Sequence, residues 1–196
     1  MEFFRRLGAI RAISFDLDDT LYDNRPVIEH AERWMVAHMR DRYLETAMFD
    51  RSWWQRLKLQ IQREQPALVD DVSLCRRVLL QRGLMEGGMA ADLAHQEAES
   101  VFAHFLEVRS QVAVPETTHR VLSALAQKYP LVVISNGNVL LERLGLDGHF
   151  QHVLRAGGGF RMKPAPDLFH DMARRLGLPP SQILHVGDDV TTDVAG

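Results

Sequence analysis

Three carboxylates stand close together near the start of the chain, directly after a short apolar run. Asp16, Asp18 and Asp19 follow Ile13–Phe15, and the apolar character of that run predicts a buried strand. Carboxylates this close repel one another and cannot all be buried without a partner. A bound divalent cation would stabilise them, and in a strand Asp16 and Asp18 would point to the same face. The segment alone is also compatible with an acidic turn whose aspartates are solvated.

Polar residues follow each of the later apolar runs that we predict to be strands. They are Ser135 and Asn136 after Pro130–Ile134, Lys163 after His152–Arg155, and Asp188 and Asp189 after Ile183–Val186. Helical patterns separate these runs, and strands that alternate with helices predict a parallel sheet with its ligand at the carboxyl ends of the strands. We therefore expect the carboxylates, the hydroxyl and the lysine to meet in one crevice.

This set of side chains fits phosphoryl transfer. Carboxylates and Mg²⁺ form a hard oxygen site that leaves room for a phosphate oxygen. A hydroxyl, backbone N–H groups and a lysine ammonium can bind the remaining phosphoryl oxygens. One carboxylate in line with phosphorus can act as the nucleophile, and a second can donate a proton to the leaving alcohol and later take one from water. Each motif alone is weak evidence, and the order of the motifs after successive strands makes the set specific.

A long helical segment separates the first strand from the others. Between Val27 and Leu106 apolar residues recur at spacings of three or four, which predicts four helices in a small bundle. We expect an α/β core formed by residues 1–21 and 113–196, and a helical cap formed by residues 22–112. The tryptophans of this segment fall at core spacing, so we interpret them as bundle core rather than as a platform for an aromatic substrate.

Composition limits the possible partners and location. The 196 residues carry a formal net charge of −3, which gives no field that would attract nucleic acid or an anionic membrane. No run reaches membrane-spanning length, and we expect no leader peptide. The single cysteine, Cys75, excludes an internal disulfide, fits a reducing compartment and lies at core spacing. We therefore expect a cytoplasmic protein that acts on a small molecule, and the sequence leaves its oligomeric state open.

The motifs resemble those of the haloacid dehalogenase superfamily, in the same order. The matching stretches are DLDDT at 16–20, SNG at 135–137, KP at 163–164 and GDD at 187–189, followed by Asp193. The stretches FDLDDTLYDNRP, SNGN and ILHVGDDVTTDVAG are similar to YigB-type phosphatases. Those enzymes are implicated in dephosphorylating 5-amino-6-(5-phospho-D-ribitylamino)uracil, and they also accept flavin mononucleotide (FMN) and sugar phosphates. The resemblance implies an α/β fold with a Rossmann-like parallel sheet core and an inserted helical cap.

The resemblance also implies roles in catalysis and metal binding. Asp16 would be the nucleophile and Asp18 the general acid and base. Asp16, the backbone carbonyl of Asp18 and Asp188 would hold Mg²⁺. Asp193 would contribute indirectly or weakly to the metal site. Asp189 competes with Asp188 for the role of metal ligand, and we favour Asp188 because it directly follows the strand and a glycine.

The remaining matched residues would serve the phosphate group. Ser135 and Asn136 would bind it, Lys163 would balance its charge, and Thr20 would support the loop that surrounds it. Together these roles describe Mg²⁺-dependent hydrolysis of a small phosphomonoester through an aspartyl-phosphate intermediate.

Other functions remain open at this point. A dehalogenase of the same superfamily uses the same nucleophile, but generally lacks the second aspartate, here Asp18. A phosphomutase shares both aspartates. A signalling receiver domain has an acidic Mg²⁺ pocket, but it lacks a helical insert and orders its motifs differently. A relative that binds without catalysis is the last alternative.

The sequence stops at Gly196, where the superfamily continues into another helix and at least one more strand. We therefore expect the C-terminal edge of the sheet to be missing.

Overall fold

The computed structural model of the chain describes residues 8–194 and contains one parallel sheet. Its strands are β1 (Ala12–Phe15), β2 (Leu131–Ser135), β3 (His152–Arg155) and β4 (Ile183–Val186). They lie in the order β3-β2-β1-β4, and each neighbouring pair is parallel. The predicted α/β class with a Rossmann-like parallel sheet is confirmed.

The two central strands explain the apolar runs of the sequence. Every residue of β1 and β2 is buried, as a strand covered on both faces requires. The register places Ser14 of β1 opposite Val132 of β2 and His185 of β4. Parallel strands in this register end at the same edge of the sheet, so the loops that follow them start side by side. Within residues 8–194, β3 and β4 each have a strand neighbour on one side.

The α-helices of the described chain are α1 (Arg25–Arg42), α2 (Arg51–Glu64), α3 (Val72–Glu86), α4 (Ala91–Arg109), α5 (Glu116–Ala126) and α6 (Asp167–Leu176). The described chain forms two compact units. One is an α/β unit of residues 8–22, 113–137 and 145–194. The other is a helical unit of residues 23–112 and 138–144. Within residues 8–194, no helix is long and apolar enough to cross a membrane.

The helical unit is held together by a core to which all four of its helices contribute. Its buried side chains include Met35, Met39, Trp54, Ile61, Leu79, Leu80, Phe102 and Phe105. Trp54 is buried in this core, and Trp34 and Trp53 pack against it. A Cβ atom added to Gly83 would lie 2.2 Å from Cη2 of Trp54, so the indole fills the space that a side chain at Gly83 would need. Cys75 is also buried here.

The segment 138–144 belongs to the helical unit by its contacts. Asn138 is of a residue type that often caps helices, but its amide donates to Ser73 Oγ at 3.2 Å. The backbone N–H of Leu140 donates to Ser110 Oγ at 2.9 Å. The 3₁₀-helix Leu141–Leu144 follows. These hydrogen bonds join residues far apart in sequence, so local capping rules could not predict them.

Helix α6 begins at Asp167 and not at the Lys163-Pro164 motif. The residue before a proline is disfavoured in the α conformation, so Ala165 before Pro166 delays the helix. From there α6 packs Leu168 and Met172 against the buried residues of β2 and β3.

The core of the helical unit predicts a sharp contrast between two leucines of α2. Leu57 is 6% exposed and Leu59 is 53% exposed. Leu57→Ala should lower the free energy of unfolding by about 2–5 kcal/mol because it leaves a cavity. Leu59→Ala, the matched control, should change it by less than about 0.5 kcal/mol. Urea denaturation followed by far-UV circular dichroism measures both values. Equal losses in the two variants would contradict this description of the core.

Candidate active site

Asp16 lies immediately after β1 and is 7% exposed. Its backbone N–H donates to the carbonyl oxygen of Val186 at 2.9 Å, so the end of β4 fixes its position. Its Oδ1 accepts a hydrogen bond from Lys163 Nζ at 2.6 Å. The carboxylate that sequence analysis identified as the nucleophile is therefore buried and paired with the lysine of the third motif.

Lys163 joins two carboxylates and is itself 3% exposed. Its Nζ donates to Asp16 Oδ1 and to Asp193 Oδ1, both at 2.6 Å. Asn136 places this lysine, because its Oδ1 accepts from the Lys163 backbone N–H at 2.7 Å and its Nδ2 donates to the Lys163 carbonyl at 3.1 Å. The side chain of Asn136 is thus engaged with the lysine backbone, and its predicted contact with phosphate stays a prediction.

The carboxylates of Asp16, Asp188 and Asp193 form an acidic cluster. One oxygen from each lies within 4.8 Å of the other two. Thr20 Oγ1 donates to Asp188 Oδ1 at 3.2 Å, so the loop after β1 helps to orient this carboxylate. All three groups offer carboxylate oxygens, and this donor set fits a hard divalent cation such as Mg²⁺.

Asp189 has a different environment from Asp188. Its Oδ1 accepts from the backbone N–H groups of Thr191 and Thr192, both at 2.8 Å. Its own backbone N–H donates to Asp193 Oδ2 at 3.1 Å. The Asp189 carboxylate therefore stabilises the turn after β4, whereas Asp188 lies in the acidic cluster.

Asp18 and Ser135 lie close together around Gly137. A Cβ atom added to Gly137 would lie 2.6 Å from Asp18 Oδ2 and 3.3 Å from Ser135 Oγ. The backbone N–H of Gly137 donates to Ser135 Oγ at 2.9 Å. On its other side, Asp18 Oδ1 accepts a hydrogen bond from the hydroxyl of Tyr22. The loop after β2 therefore passes against the carboxylate that we predicted to be the general acid and base.

Burial and Lys163 act in opposite directions on the acidity of this cluster. Burial raises the pKa of Asp16 to about 6, although the charge and hydrogen bond of Lys163 act to lower it. Burial also acts to raise the pKa of Asp193, but hydrogen bonds from Lys163 and His185 outweigh it, so that pKa is lowered. The pKa of His185 is lowered, chiefly by burial. The Asp193 carboxylate is thus more readily ionised than that of Asp16.

His185 is the residue of this region that our sequence analysis missed. Its Nε2 lies 3.0 Å from Asp193 Oδ1, and its Nδ1 lies 2.8 Å from Ser14 Oγ. The available signal was the presence of polar residues inside the apolar runs, since Ser14 interrupts the buried β1 and His185 interrupts the half-buried β4. Polar groups at such positions need partners.

A model of haloacid dehalogenase-like hydrolases matches residues 10–196, and the chain belongs to this family. Hydrolases of the family generally use a metal ion, and this chain contains the acidic cluster of Asp16, Asp188 and Asp193.

Two curated relatives are phosphatases. The chain is 41% identical over 196 residues to 5-amino-6-(5-phospho-D-ribitylamino)uracil phosphatase YigB of Escherichia coli (strain K12), with 100% of this chain and 82% of the relative covered. It is 26% identical over 195 residues to glyceraldehyde 3-phosphate phosphatase of Methanopyrus kandleri, with 95% of this chain and 79% of the relative covered. The predicted resemblance to YigB-type phosphatases is confirmed, and so is the assignment as a phosphatase.

Solved structures agree on the fold. A 2-haloacid dehalogenase from Pseudomonas syringae pv. Tomato DC3000 superposes with a TM-score of 0.90 at 32% identity, covering 95% of this chain and 81% of that one. The HAD-hydrolase YfnB from Bacillus subtilis, bound to magnesium, superposes with a TM-score of 0.60 at 19% identity, covering 96% of this chain and 86% of that one. The second similarity supports the fold alone.

The environment of Asp16 predicts an unusual titration in metal-free protein. Because its pKa of about 6 lies above the ordinary value of 3.8, folding favours the protonated carboxyl. The contribution of Asp16 to the free energy of unfolding is therefore fully present below pH 3.8 and is lost as the pH rises through about 6. Carboxyl ¹³C NMR should show Asp16 titrating near pH 6, with its resonance assigned by its loss in Asp16→Asn. Added Mg²⁺ should lower the midpoint, since a cation favours the ionised form. A midpoint at or below 3.8 without metal would contradict this prediction.

Proposed function

We propose that this chain is a Mg²⁺-dependent phosphomonoester hydrolase that acts through an aspartyl phosphate on Asp16. One arrangement carries the proposal: the Asp16 carboxylate at the end of β1 is bonded to the Lys163 ammonium and lies beside Asp188 in the acidic cluster. A nucleophile, a positive charge and a further anionic oxygen ligand therefore meet at the strand ends. Oxygen ligands support Mg²⁺ as the metal.

In the first half of the reaction, a carboxylate oxygen of Asp16 forms a bond to phosphorus. The bond between phosphorus and the ester oxygen breaks, and Asp18 donates a proton to the departing alcohol. Lys163 offsets part of the phosphoryl charge. Bound Mg²⁺ would supply further charge neutralisation, held by Asp16, the Asp18 carbonyl and Asp188.

In the second half, water attacks the phosphorus atom of the aspartyl phosphate. The Asp18 carboxylate takes a proton from that water, and the bond between phosphorus and the Asp16 oxygen breaks. Inorganic phosphate leaves, Asp16 is again a carboxylate and Asp18 is again protonated. The same two side chains therefore serve both halves, and the cycle closes without another reactant.

The loops after β1 and β2 supply the remaining groups. Ser135 Oγ lies at the turn beside Asp18, where a hydroxyl can bind a phosphoryl oxygen. Asn136 supports phosphate binding indirectly, because it holds the backbone of Lys163. Thr20 orients Asp188 through its hydrogen bond at 3.2 Å. These assignments give Ser135, Asn136 and Thr20 a direct or indirect part in binding either phosphate or metal.

The substrate that we propose is a small phosphomonoester. The curated name of the Escherichia coli relative, at 41% identity, supports 5-amino-6-(5-phospho-D-ribitylamino)uracil as the first candidate. FMN and sugar phosphates follow from the sequence resemblance. Nothing in the charge of the chain favours a nucleic acid or a membrane as partner, and a cytoplasmic location stays a prediction.

Dehalogenation is the second candidate, because the structure from Pseudomonas syringae is described as a 2-haloacid dehalogenase. Asp18 discriminates between the two reactions. An alkoxide is a poor leaving group that needs a proton donor, whereas halide leaves without one. A carboxylate at position 18, held between Tyr22 and the Gly137 loop, supports ester hydrolysis.

A substrate panel tests the proposal. With Mg²⁺, the protein should release phosphate from the ribitylaminouracil phosphate, FMN or a sugar phosphate, and should release no halide from 2-chloropropionate. Asp16→Asn should lose essentially all activity because an amide is a poor nucleophile, and Asp18→Asn should slow turnover by at least about 10². Asp41→Asn, which neutralises an exposed aspartate of α1, is the matched control and should be fully active. Undiminished phosphate release in excess EDTA, or by Asp16→Asn, would refute the mechanism.

Two neighbouring aspartates test the assignment of the metal ligand. Asp188→Ala should weaken Mg²⁺ binding by at least about 10-fold, since it removes an oxygen from the acidic cluster. Asp189→Ala should affect Mg²⁺ binding less, because that carboxylate accepts hydrogen bonds from the turn. Isothermal titration calorimetry measures both affinities in the absence of substrate. A larger defect in Asp189→Ala would show that the ligand is Asp189.

A further inference from the structure

His185 connects a buried serine to the carboxylate of Asp193. It lies on β4 directly across from Ser14 of β1. Its Nδ1 is 2.8 Å from Ser14 Oγ and its Nε2 is 3.0 Å from Asp193 Oδ1. The ring of Phe169 packs against it in a T-shaped arrangement, with 5.1 Å between the ring centroids. The imidazole is therefore held by a hydrogen bond at each nitrogen and by an aromatic neighbour.

These partners determine which nitrogen of His185 carries the hydrogen. An ionised carboxylate only accepts hydrogen bonds, so the nitrogen facing Asp193 must be the donor. In the neutral ring Nε2 is then protonated and Nδ1 has a lone pair. Ser14, whose side chain is fully buried, donates its hydroxyl hydrogen to that lone pair. Ser14 thereby favours the tautomer that Asp193 needs.

Asp193 receives hydrogen bonds from three separate segments. Its Oδ1 accepts from Lys163 Nζ at 2.6 Å and from His185 Nε2 at 3.0 Å. Its Oδ2 accepts from the backbone N–H of Asp189 at 3.1 Å. The Asp193 side chain is 3% exposed, so water has little access to replace a lost donor. Without His185, Asp193 would be held only by the lysine and by its own turn.

The position of Asp193 matters because Lys163 is shared. The same ammonium donates to Asp193 and to Asp16. A rotation of the Asp193 carboxylate would therefore move the ammonium and change its hydrogen bond to Asp16. A donor on β4 ties Asp193 to the same sheet that carries Asp16. We propose that His185 is a positioning residue: as the Nε2–H tautomer set by Ser14, it holds Asp193 so that Lys163 stays bonded to Asp16. Its effect on turnover rests on the proposed phosphatase mechanism, whereas the hydrogen-bond chain does not.

Two amide substitutions test the two ring nitrogens of His185 separately. In His185→Gln the side-chain amide reaches the place of Nε2 and can still donate to Asp193. In His185→Asn the shorter amide reaches only the place of Nδ1, so Asp193 loses its donor. His185→Asn should lower kcat/KM for p-nitrophenyl phosphate with Mg²⁺ by about 10–100-fold, the usual effect of removing a group that orients a ligand. His185→Gln should stay within about 3-fold of the wild type, by the same reasoning.

The exposed His170 of α6 provides the matched control, since His170→Gln makes the same change away from the cluster. It should have wild-type kinetics. Wild-type activity in His185→Asn would overturn the proposal. So would equal losses in the Asn and Gln variants, because a merely structural histidine would not depend on which end of the ring is kept.

NMR tests the hydrogen-bond chain without substrate or metal. In ¹H–¹⁵N spectra at about pH 8, where the ring is neutral, His185 should show a protonated Nε2 and an unprotonated Nδ1. Ser14→Ala removes the donor to Nδ1 and should populate the other tautomer as well. The buried Lys163 ammonium should give a ¹H–¹⁵N signal that His185→Gln retains and His185→Asn shifts or loses. A protonated Nδ1 in the wild type, or an unchanged Lys163 signal in His185→Asn, would refute the role of His185.

The two sets of measurements keep the proposals distinguishable. A wild-type protein without phosphatase activity would contradict the proposed function, and the NMR results would still decide the positioning role. An active wild-type enzyme with the wrong tautomer would contradict His185 alone.

Discussion

The active site depends on one buried ammonium group. Lys163 lies between Asp16 and Asp193, with both oxygens 2.6 Å from its Nζ. Moving such charges out of water costs several kcal/mol for each ion, and only close pairing offsets that cost. The lysine favours the ionised form of both aspartates, because its charge and hydrogen bonds act to lower the pKa of each. The segments after β1, β3 and β4, which carry Asp16, Lys163 and Asp193, must therefore keep fixed positions relative to one another. The parallel sheet provides this, because its strands end at the same edge.

Close approach of the backbone fixes the remaining geometry. A Cβ atom on Gly137 would lie 2.6 Å from Asp18 Oδ2, and one on Gly187 would lie 2.2 Å from Cγ of Asp193. Two loops thus pass so near to the carboxylates of Asp18 and Asp193 that any side chain larger than hydrogen would displace them. At these two positions the requirement for glycine comes from space, because both have ordinary φ values. The carboxylates are confined by backbone on one side and by hydrogen-bond donors on the other.

Local sequence patterns predicted part of this arrangement. Apolar runs that end in polar residues predicted the four strands, and helical spacing predicted the four helices of the helical unit. The parts that escaped prediction depend on contacts between distant segments. Asn136 follows a strand as a phosphate-binding residue would, yet its amide holds the backbone of Lys163, 27 residues away. His185 was unremarked because its partners are Ser14, 171 residues away, and Asp193 on the next turn. Asn138 resembled a helix cap, and only the fold brings it to Ser73.

In the proposed mechanism, the burial of Asp16 also couples its ionisation to metal binding. With Lys163 in place, burial still raises the pKa of Asp16 to about 6, so one lysine does not fully compensate for the loss of water. Asp193 takes part of the charge of that lysine, and its own carboxylate adds to the repulsion on Asp16. A further positive charge at the acidic cluster would lower the pKa of Asp16 again, because it would favour the ionised carboxylate. Metal binding and ionisation of Asp16 must then favour each other, because each one stabilises the charge that the other requires. The positive charge at the cluster is too small to lower the pKa of Asp16 to its ordinary value. The excess negative charge that remains would attract a divalent cation, and the cation would in turn attract the phosphate group.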